Sequence, residues 1–293
     1  MIDIRNVQKT GNMHYVYLPT SWCKKYGINS DTKVSLTINT DGSISLYPEI
    51  KVVEKDAINI TLPEATPDIL IKLIMACYIN PSKSFNIKLE KGTDISKIFD
   101  KRSSISALEF VELDGSSITH ESSISVKDPF TLLKTMVKKI KNLVSVMIDN
   151  YDPELILKYE EEIDRSKLLI TKSVIGSLVL NEPTKIKTVD LYYIARVSQY
   201  LEGMVDNLIL VEKKEGLFLR KILKIVDEIK DILEKVDELS YTRVIQLEKI
   251  IVALKTPQIE NLKTYGFRRI KRNLSNISEV FFDWAITVLI EEK

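Results

Sequence analysis

Apolar and polar residues alternate along the first part of the chain, as in a half-buried β-strand. Leu36 and Ile38 lie between polar residues, and a second alternating run follows Asp41-Gly42. A period of two is typical of strands, and an Asp-Gly pair between two such runs favours a hairpin. We therefore predict a small all-β domain over residues 1–48.

Residues 49–127 mix strand-like and helix-like patterns. The predicted elements are strands at 57–62, 85–89, 108–113 and 122–126 and a helix at 69–78. Asp68 directly precedes the helical run and is expected to be its N-cap, since short polar side chains are favoured there. This stretch predicts a small α+β domain that links its two neighbours, and it contains no recognisable site chemistry.

From residue 128 onward, apolar residues recur at the spacing of an amphipathic helix. Asp128-Pro129 and Asp152-Pro153 each place a capping side chain before a proline, which is typical of a helix start. Further helices are predicted from Thr188, over 216–239 after a loop, and over 259–290, with Ser240 as another cap. Five or six long helices with short loops predict an all-α antiparallel bundle over residues 128–293.

Composition excludes several classes of protein. The 293-residue chain is 44% hydrophobic and 28% charged, with a net charge of +1, which is ordinary for a globular protein. Its two cysteines, Cys23 and Cys77, share no CxxC spacing, so a reducing compartment fits better than a disulfide framework. The N-terminus lacks an apolar leader, and no run reaches the roughly 18 apolar residues of a bilayer span. We expect a cytoplasmic chain without membrane insertion.

The N-terminal segment carries the most specific motif. Residues 7–11 lead through a strand to a Leu-Pro pair at 18–19, a short helix ends at Gly27, and residues 31–34 open the hairpin. A unit of this size cannot bury a sufficient core alone, so it has to pair with a second copy or with other domains. The succession resembles the swapped-hairpin barrel of the AbrB/SpoVT family over about residues 3–48.

The resemblance implies a homodimer whose paired heads bind DNA through basic side chains. The matching positions in this sequence are Arg5, Lys9, His14, Lys24 and Lys25. Over residues 1–28, four Lys and Arg residues are opposed by Asp3 alone, so positive charge is concentrated locally in a nearly neutral chain. The alternative is a head that dimerises without touching DNA, as some heads of this family do.

Three segments of the helical part resemble PhoU-like proteins. They are YEEEIDR at residues 159–165, QYLEGMVDN at 199–207 and RRI at 268–270, and they occur in the family's order. With an AbrB-like head and a small α+β domain ahead of them, the layout resembles archaeal PhoU-like phosphate uptake regulators. The resemblance implies control of phosphate uptake by a helical body that receives a signal from a phosphate transporter or a sensor protein.

Acidic pairs on neighbouring helices hold metal ions in this family, and the resemblance implies a divalent or iron-type ion here. The matching carboxylates are Glu160, Asp164, Glu202 and Asp206. Each pair is spaced i, i+4, which places both side chains on one helical face. Carboxylate oxygens from two such helices would suit a hard cation.

The sequence leaves two alternatives to a metal open. The same i, i+4 spacing occurs without a motif at three other places, Asp227/Asp231, Glu234/Glu238 and Glu279/Asp283, so it also fits a solvated face. The chain departs from the family pattern at Gly203, Asn207, Arg272 and Asn276. A polar network in which Arg196 or Arg272 pairs with the carboxylates is therefore a second alternative.

The leading functional hypothesis is a non-enzymatic, dimeric regulator. The sequence has no glycine-rich phosphate loop, no nucleophile elbow and no HExxH motif, and we assign no catalytic residue. A second hypothesis is an adaptor whose head only dimerises and whose bundle docks onto a transporter or sensor. A third is a di-metal carboxylate protein, although the Glu-x-x-His motif of ferritin-like sites is missing.

Overall fold

The computed structural model divides the chain into two compact units, Met1–Glu54 and Lys55–Lys293. It describes residues 4–38, 42–48, 57–80, 84–91, 111–114, 117–121, 128–180, 186–212, 215–256 and 262–291. Within these ranges the protein is mostly helical, with eight α-helices and three small sheets. The predicted boundary after residue 48 adjoins residues 49–56, which lie outside the described part, and the three-domain division stays a prediction.

The N-terminal unit consists of two β-hairpins with a short helix between them. Its elements are β1 (Gln8–Thr10), β2 (Met13–Tyr15), α1 (Thr20–Tyr26), β3 (Ser35–Ile38) and β4 (Ile44–Tyr47). Gly27 ends α1 in the left-handed region at φ 64°, and the amide of Ile28 donates to the carbonyl of Cys23 at 2.9 Å. Glycine adopts this conformation without a steric penalty, which confirms the predicted helix end.

No closed barrel forms within the described residues of this unit. β1 pairs only with β2, and β3 pairs only with β4, each antiparallel, so two separate two-stranded sheets result. Among the described residues the four short strands form two separate pairs with open outer edges, and the barrel that the resemblance implies for two interlocked chains stays a prediction. An isolated two-stranded hairpin is marginally stable in water.

A four-stranded sheet and one helix follow in the second unit. They are β5 (Ile58–Leu62), α2 (Pro67–Ile79), β6 (Ser84–Leu89), β7 (Val111–Asp114) and β8 (Ser117–Glu121), with strand order β5-β6-β8-β7. β5 and β6 are parallel, since α2 connects them, and the other pairs are antiparallel. Leu70 and Ile74 of α2 pack against Phe85, Ile87 and Ile118 of the sheet.

Two details of this region differ from the prediction. Thr66 rather than Asp68 occupies the N-cap position, because Pro67 is already the first helical residue. Asp68 instead lies in the first turn, where a negative charge still interacts favourably with the helix dipole. The strand after Asp114 covers residues 117–121, whereas the whole of the predicted strand at 122–126 lies outside the described residues.

Six helices make up the remainder of the chain. They are α3 (Pro129–Asp149), α4 (Pro153–Leu180), α5 (Thr188–Leu208), α6 (Gly216–Glu234), α7 (Tyr241–Val252) and α8 (Leu262–Glu291). The first three pack on one another, α7 packs on α6 and α8, and the pairs α3–α6 and α5–α8 join the two groups. A helical bundle at this end of the chain agrees with the prediction.

The helix starts follow from local capping. The carboxylate of Asp128 accepts hydrogen bonds from the amides of Phe130 and Thr131 at 3.2 and 3.1 Å. Asp152 does the same for Glu154 and Leu155 at 3.0 and 3.1 Å. These bonds satisfy amides that have no partner within the helix, which confirms both predicted caps.

A continuous apolar core holds the bundle together. Large side chains from several helices, such as Leu133, Ile140, Leu201 and Phe281, are fully buried. Trp284 of α8 is stacked on Tyr193 of α5 with ring centroids 5.3 Å apart, and its indole N–H donates to Asp190 at 2.8 Å. Among the described helices, none combines the length and the apolar content needed to cross a membrane.

Candidate functional site

Carboxylates from α4 and α5 meet at the surface of the bundle. Glu160 and Asp164 lie one turn apart on α4, and Asp206 reaches the same place from α5. One carboxylate oxygen from each of these three residues lies within 4.8 Å of the other two. We call these three side chains the carboxylate cluster. It is the one grouping of three or more potential metal-ligating side chains within the described ranges.

Glu202, the fourth predicted member, lies beside the cluster and is paired with a cation. The ammonium of Lys167 donates to Glu202 Oε1 at 3.1 Å, across from α4 to α5. Glu202 remains close enough to raise the pKa values of the three cluster carboxyls by electrostatic repulsion. The structure therefore brings all four predicted residues into one region and adds Lys167 to them.

Burial and mutual repulsion change the acidity of the cluster. Burial is the main cause that raises the pKa of Asp164 to about 7, and the negative charges of Glu160, Glu202 and Asp206 add to it. The same two causes raise the pKa of Asp206 to about 6 and also raise that of Glu160. One oxygen of Asp164, Oδ1, is buried and accepts no hydrogen bond.

This arrangement suits a hard cation. An oxygen without a hydrogen-bond partner, next to two further carboxylates, leaves negative charge that a positive ion would neutralise. Oxygen-only ligand sets favour ions such as Mg²⁺, Mn²⁺ or Ca²⁺, and carboxylates also bind iron. Glu160, Asp164 and Asp206 are the residues that would hold such an ion, with Glu202 available next to them.

The other acidic pairs with the same spacing show that spacing alone does not make a site. Asp227 is bound to Lys141 at 2.6 Å, and Glu234 is bound to Lys230 at 3.1 Å, both at partly exposed positions. Neither belongs to a cluster of three acidic residues in the described part of the chain. What distinguishes Glu160 and Asp164 is the neighbouring helix that adds Asp206.

The departures from the family pattern on α5 lie outside the carboxylate cluster. A Cβ atom at Gly203 would lie 3.4 Å from the side-chain nitrogen Nδ2 of Asn273 on α8, so this position faces α8. The side-chain amide of Asn207 donates to the carbonyl of Gly203 at 2.8 Å, one turn earlier on the same helix. The absence of larger side chains here permits close packing of α5 on α8 and removes no ligand from the cluster.

The alternative polar network is not formed as predicted. Arg196 hydrogen-bonds to the hydroxyl of Tyr200, and its guanidinium carbon lies 4.9 Å from the centre of that ring. Arg272 is exposed on α8 and lines a different part of the surface. Lys167 is the cation that approaches the cluster. Its position, three residues after Asp164, is the sequence signal that could have identified it.

The predicted DNA-binding residues are all exposed in the N-terminal unit. Lys9 and His14 lie directly opposite each other in the β1–β2 register. Lys24 and Lys25 occupy the last turn of α1, and the ammonium of Lys25 lies 5.3 Å from the centre of the Tyr26 ring. Arg5 precedes β1 and is also exposed. The structure thus brings Lys9 and His14 together, while the other three approach from adjacent segments.

Comparison with known proteins adds no family to this geometry. No protein-family model and no curated protein matches the sequence, and no solved structure matches the fold. The resemblance to AbrB/SpoVT heads and PhoU-like bodies therefore stays a prediction from the motifs.

We predict that Asp164→Asn changes the pH dependence of stability. Because the pKa of Asp164 is raised from 3.8 to about 7, the folded state binds its proton more tightly than the unfolded state does. The contribution of this residue is thus most favourable near pH 4 and is lost as the pH rises through 7. Between pH 4 and pH 7 we expect the free energy of unfolding of the variant to rise by about 1–2 kcal/mol relative to that of wild type. This value is reduced for solvent screening at the exposed Asp206.

Urea denaturation at a series of pH values measures this difference. Asp231→Asn is the matched control, because Asp231 is exposed on α6 outside the carboxylate cluster. The free energy of unfolding of this control should differ from that of wild type by the same amount at every pH. Parallel pH profiles for Asp164→Asn and wild type would show that Asp164 is not buried among like charges.

Proposed function

We propose that the chain is a dimeric, DNA-binding regulator of phosphate uptake, with a helical body that receives the signal. The observation that carries the proposal is an uncovered apolar face on the N-terminal unit. Support for the phosphate connection comes from the three PhoU-like segments, of which two contain the residues of the carboxylate cluster. We propose that the chain acts in the cytoplasm and receives its signal from a phosphate transporter or sensor, without catalysing a reaction.

The apolar face belongs to the β3–β4 hairpin. The register places Leu36 opposite Leu46 and Ile38 opposite Ile44, so all four side chains project from the same side of this sheet. Ile38 is 73% exposed, Ile44 58% and Leu36 56%. The described residues of the N-terminal unit include no buried side chain, in contrast to the bundle.

Such a face favours association with a second copy of the same unit. Contiguous exposed apolar surface is costly in water, and two strands alone cannot shield it. Two identical hairpins that interlock would cover both faces and pair the open strand edges at once. This is the arrangement that the resemblance to swapped-hairpin heads implies, and the two separate hairpins among the described residues are compatible with it.

The charges that the same unit presents support the proposal of DNA binding. Arg5, Lys9, Lys24 and Lys25 are exposed, and a dimer would present two sets of them. Lysine and arginine that contact phosphates give affinity that depends strongly on salt and weakly on base sequence. The helical body would then change the DNA affinity of the head in response to the phosphate supply of the cell.

A bound metal ion in the body is a second candidate function, favoured by the carboxylate cluster. We propose that Glu160, Asp164 and Asp206 hold a divalent or iron-type ion, with Glu202 close by. The ion would neutralise the repulsion among these carboxylates and satisfy Asp164 Oδ1, which accepts no hydrogen bond in the protein alone. Its affinity should rise with pH, because the ligands must lose their protons to bind it.

We expect the chain to be dimeric in dilute solution through the apolar face. Light scattering after size exclusion should give twice the 33.6 kDa of one chain. Ile38→Glu places a charge on the apolar face and should shift the mass toward the monomer. Thr37→Glu, on the opposite side of the same strand, should not. A wild-type protein that stays monomeric with this hairpin folded would contradict the proposal.

Electrophoretic mobility shifts on the duplex upstream of the chain's own gene test DNA binding. Arg5→Ala with Lys9→Ala should weaken binding and reduce the slope of log K against log salt by about 0.9 per lost phosphate contact. The control removes two exposed cations outside the predicted set, Lys33→Ala with Lys72→Ala, and should retain the shift. If wild type has no affinity for any duplex at low salt, the adaptor hypothesis replaces this one.

Equilibrium dialysis against Mn²⁺, Fe²⁺ or Zn²⁺, followed by elemental analysis, tests the metal. We expect about one ion per chain or more in wild type and a loss of affinity of roughly tenfold or more in Asp164→Asn, since a ligand is removed. Glu202→Ala should weaken binding less. Asp227→Asn with Asp231→Asn has the same spacing on another helix and should have no effect. Occupancy well below one ion per chain in wild type would eliminate the site.

A further inference from the structure

Arginine side chains line a groove on the part of α8 that packs against the end of α7. The groove has a volume of about 420 Å³, and its polar lining is Thr256, Tyr265, Arg268, Arg269, Arg272 and Ser275. We call it the arginine groove. Lys271 also borders it, but its ammonium donates to the carbonyls of Val252 at 3.0 Å and Leu254 at 2.7 Å. Lys271 therefore fixes the end of α7 against α8 and shapes the groove.

Among the residues that the structure describes, the three arginines have no counter-charge. Within the described part of the chain, Arg268, Arg269 and Arg272 make no hydrogen bond or ion pair, and all three are exposed. Guanidinium groups stay charged at any physiological pH. Arg268 and Arg272 are spaced i, i+4, where like charges destabilise a helix. An anion in the arginine groove would replace this repulsion with attraction.

The positive surface is short, which indicates the size of its ligand. From Tyr265 to Ser275 the lining covers eleven residues of α8, about 15 Å along the helix axis. On the same helical face, the exposed residues Glu279 and Asp283 follow Arg272 at intervals of seven and four residues. A long duplex or a membrane surface would meet these carboxylates, whereas a volume of this size is typical of small-molecule sites.

We propose that the arginine groove binds a small molecule that carries linked phosphoryl groups. Guanidinium forks match phosphate oxygens with paired, charge-assisted hydrogen bonds, and three uncompensated arginines match an anion with three or more negative charges. The hydroxyls of Thr256 and Ser275 are further donors at the edges. Inorganic oligophosphates and nucleoside triphosphates share this chemistry. The described lining of the site comes from α8 and from Thr256, which follows α7, and the site does not depend on DNA binding by the head.

Isothermal titration calorimetry of the full chain, without magnesium and near physiological salt, tests the proposal with tripolyphosphate. We expect saturable binding, and an affinity for orthophosphate that is lower by about tenfold or more. Arg268→Gln with Arg272→Gln should lower the affinity for tripolyphosphate by about tenfold or more. The matched control is Arg220→Gln with Lys224→Gln, two exposed cations at the same i, i+4 spacing on α6, which should bind as wild type does.

An ATP titration separates the two sources of the shared chemistry. Equal affinities for ATP and tripolyphosphate, insensitive to Tyr265→Ala, indicate recognition of the phosphoryl chain alone. Tighter binding of ATP that is lost in Tyr265→Ala indicates a nucleotide, because the exposed Tyr265 ring can stack on a base. Three outcomes overturn the proposal: no saturable binding of either anion, an equal loss in the control variant, or equal binding of citrate. Far-UV circular dichroism of each variant establishes that it is folded.

Discussion

The apolar core of the six-helix bundle is the constraint on which both charged sites depend. Each large side chain that it buries fully, such as Leu133, Ile140 or Leu201, stabilises the fold by about 1.5–3 kcal/mol relative to exposure. That stabilisation offsets the repulsion between acidic groups where α4 meets α5 and between the three arginines of α8. Charges of one sign are held together here because the helices that carry them cannot separate without exposing the core.

The two sites have opposite electrostatic character and different degrees of burial. Asp164 responds to burial by taking up a proton near neutral pH, since its pKa is about 7. The arginines cannot release a proton, and no described residue pairs with them, so solvent, salt or a bound anion would reduce their repulsion. The carboxylate cluster can therefore exist with protons or with a cation, whereas the arginine groove depends on its surroundings for neutralisation.

Interactions between residues close in sequence could be predicted. Asp128 and Asp152 cap their helices because each is followed by a proline that fixes the first turn. The same rule, applied to Thr66 and Pro67, gives the correct start of α2. The prediction of Asp68 as N-cap is wrong because Pro67 is already the first helical residue. The alternation of Leu36 and Ile38 with polar residues likewise identified β3.

Contacts between helices could be predicted only in part. The i, i+4 spacing placed Glu160 with Asp164 and Glu202 with Asp206, but it occurs as often on solvated faces and does not tell which faces meet. Packing decides this. Gly203 turns toward Asn273, Arg272 turns away from the acidic side chains, and Lys167 takes the place that an arginine was expected to fill. Each of these outcomes depends on the rotation of one helix against another, which short motifs do not encode.

Helix α4 connects the carboxylate cluster to the α+β part of the same unit. Two turns beyond Asp164, Lys172 is 6% exposed and its ammonium lies 4.1 Å from the centre of the Tyr78 ring on α2. Leu168, between them, packs against the apolar core of the four-stranded sheet. Because a helix is stiff over so short a distance, α4 carries the carboxylate cluster and the buried cation–π contact with Tyr78 on one rigid element. The same helix thus contributes both to the cluster and to the packing of the α+β part against the bundle.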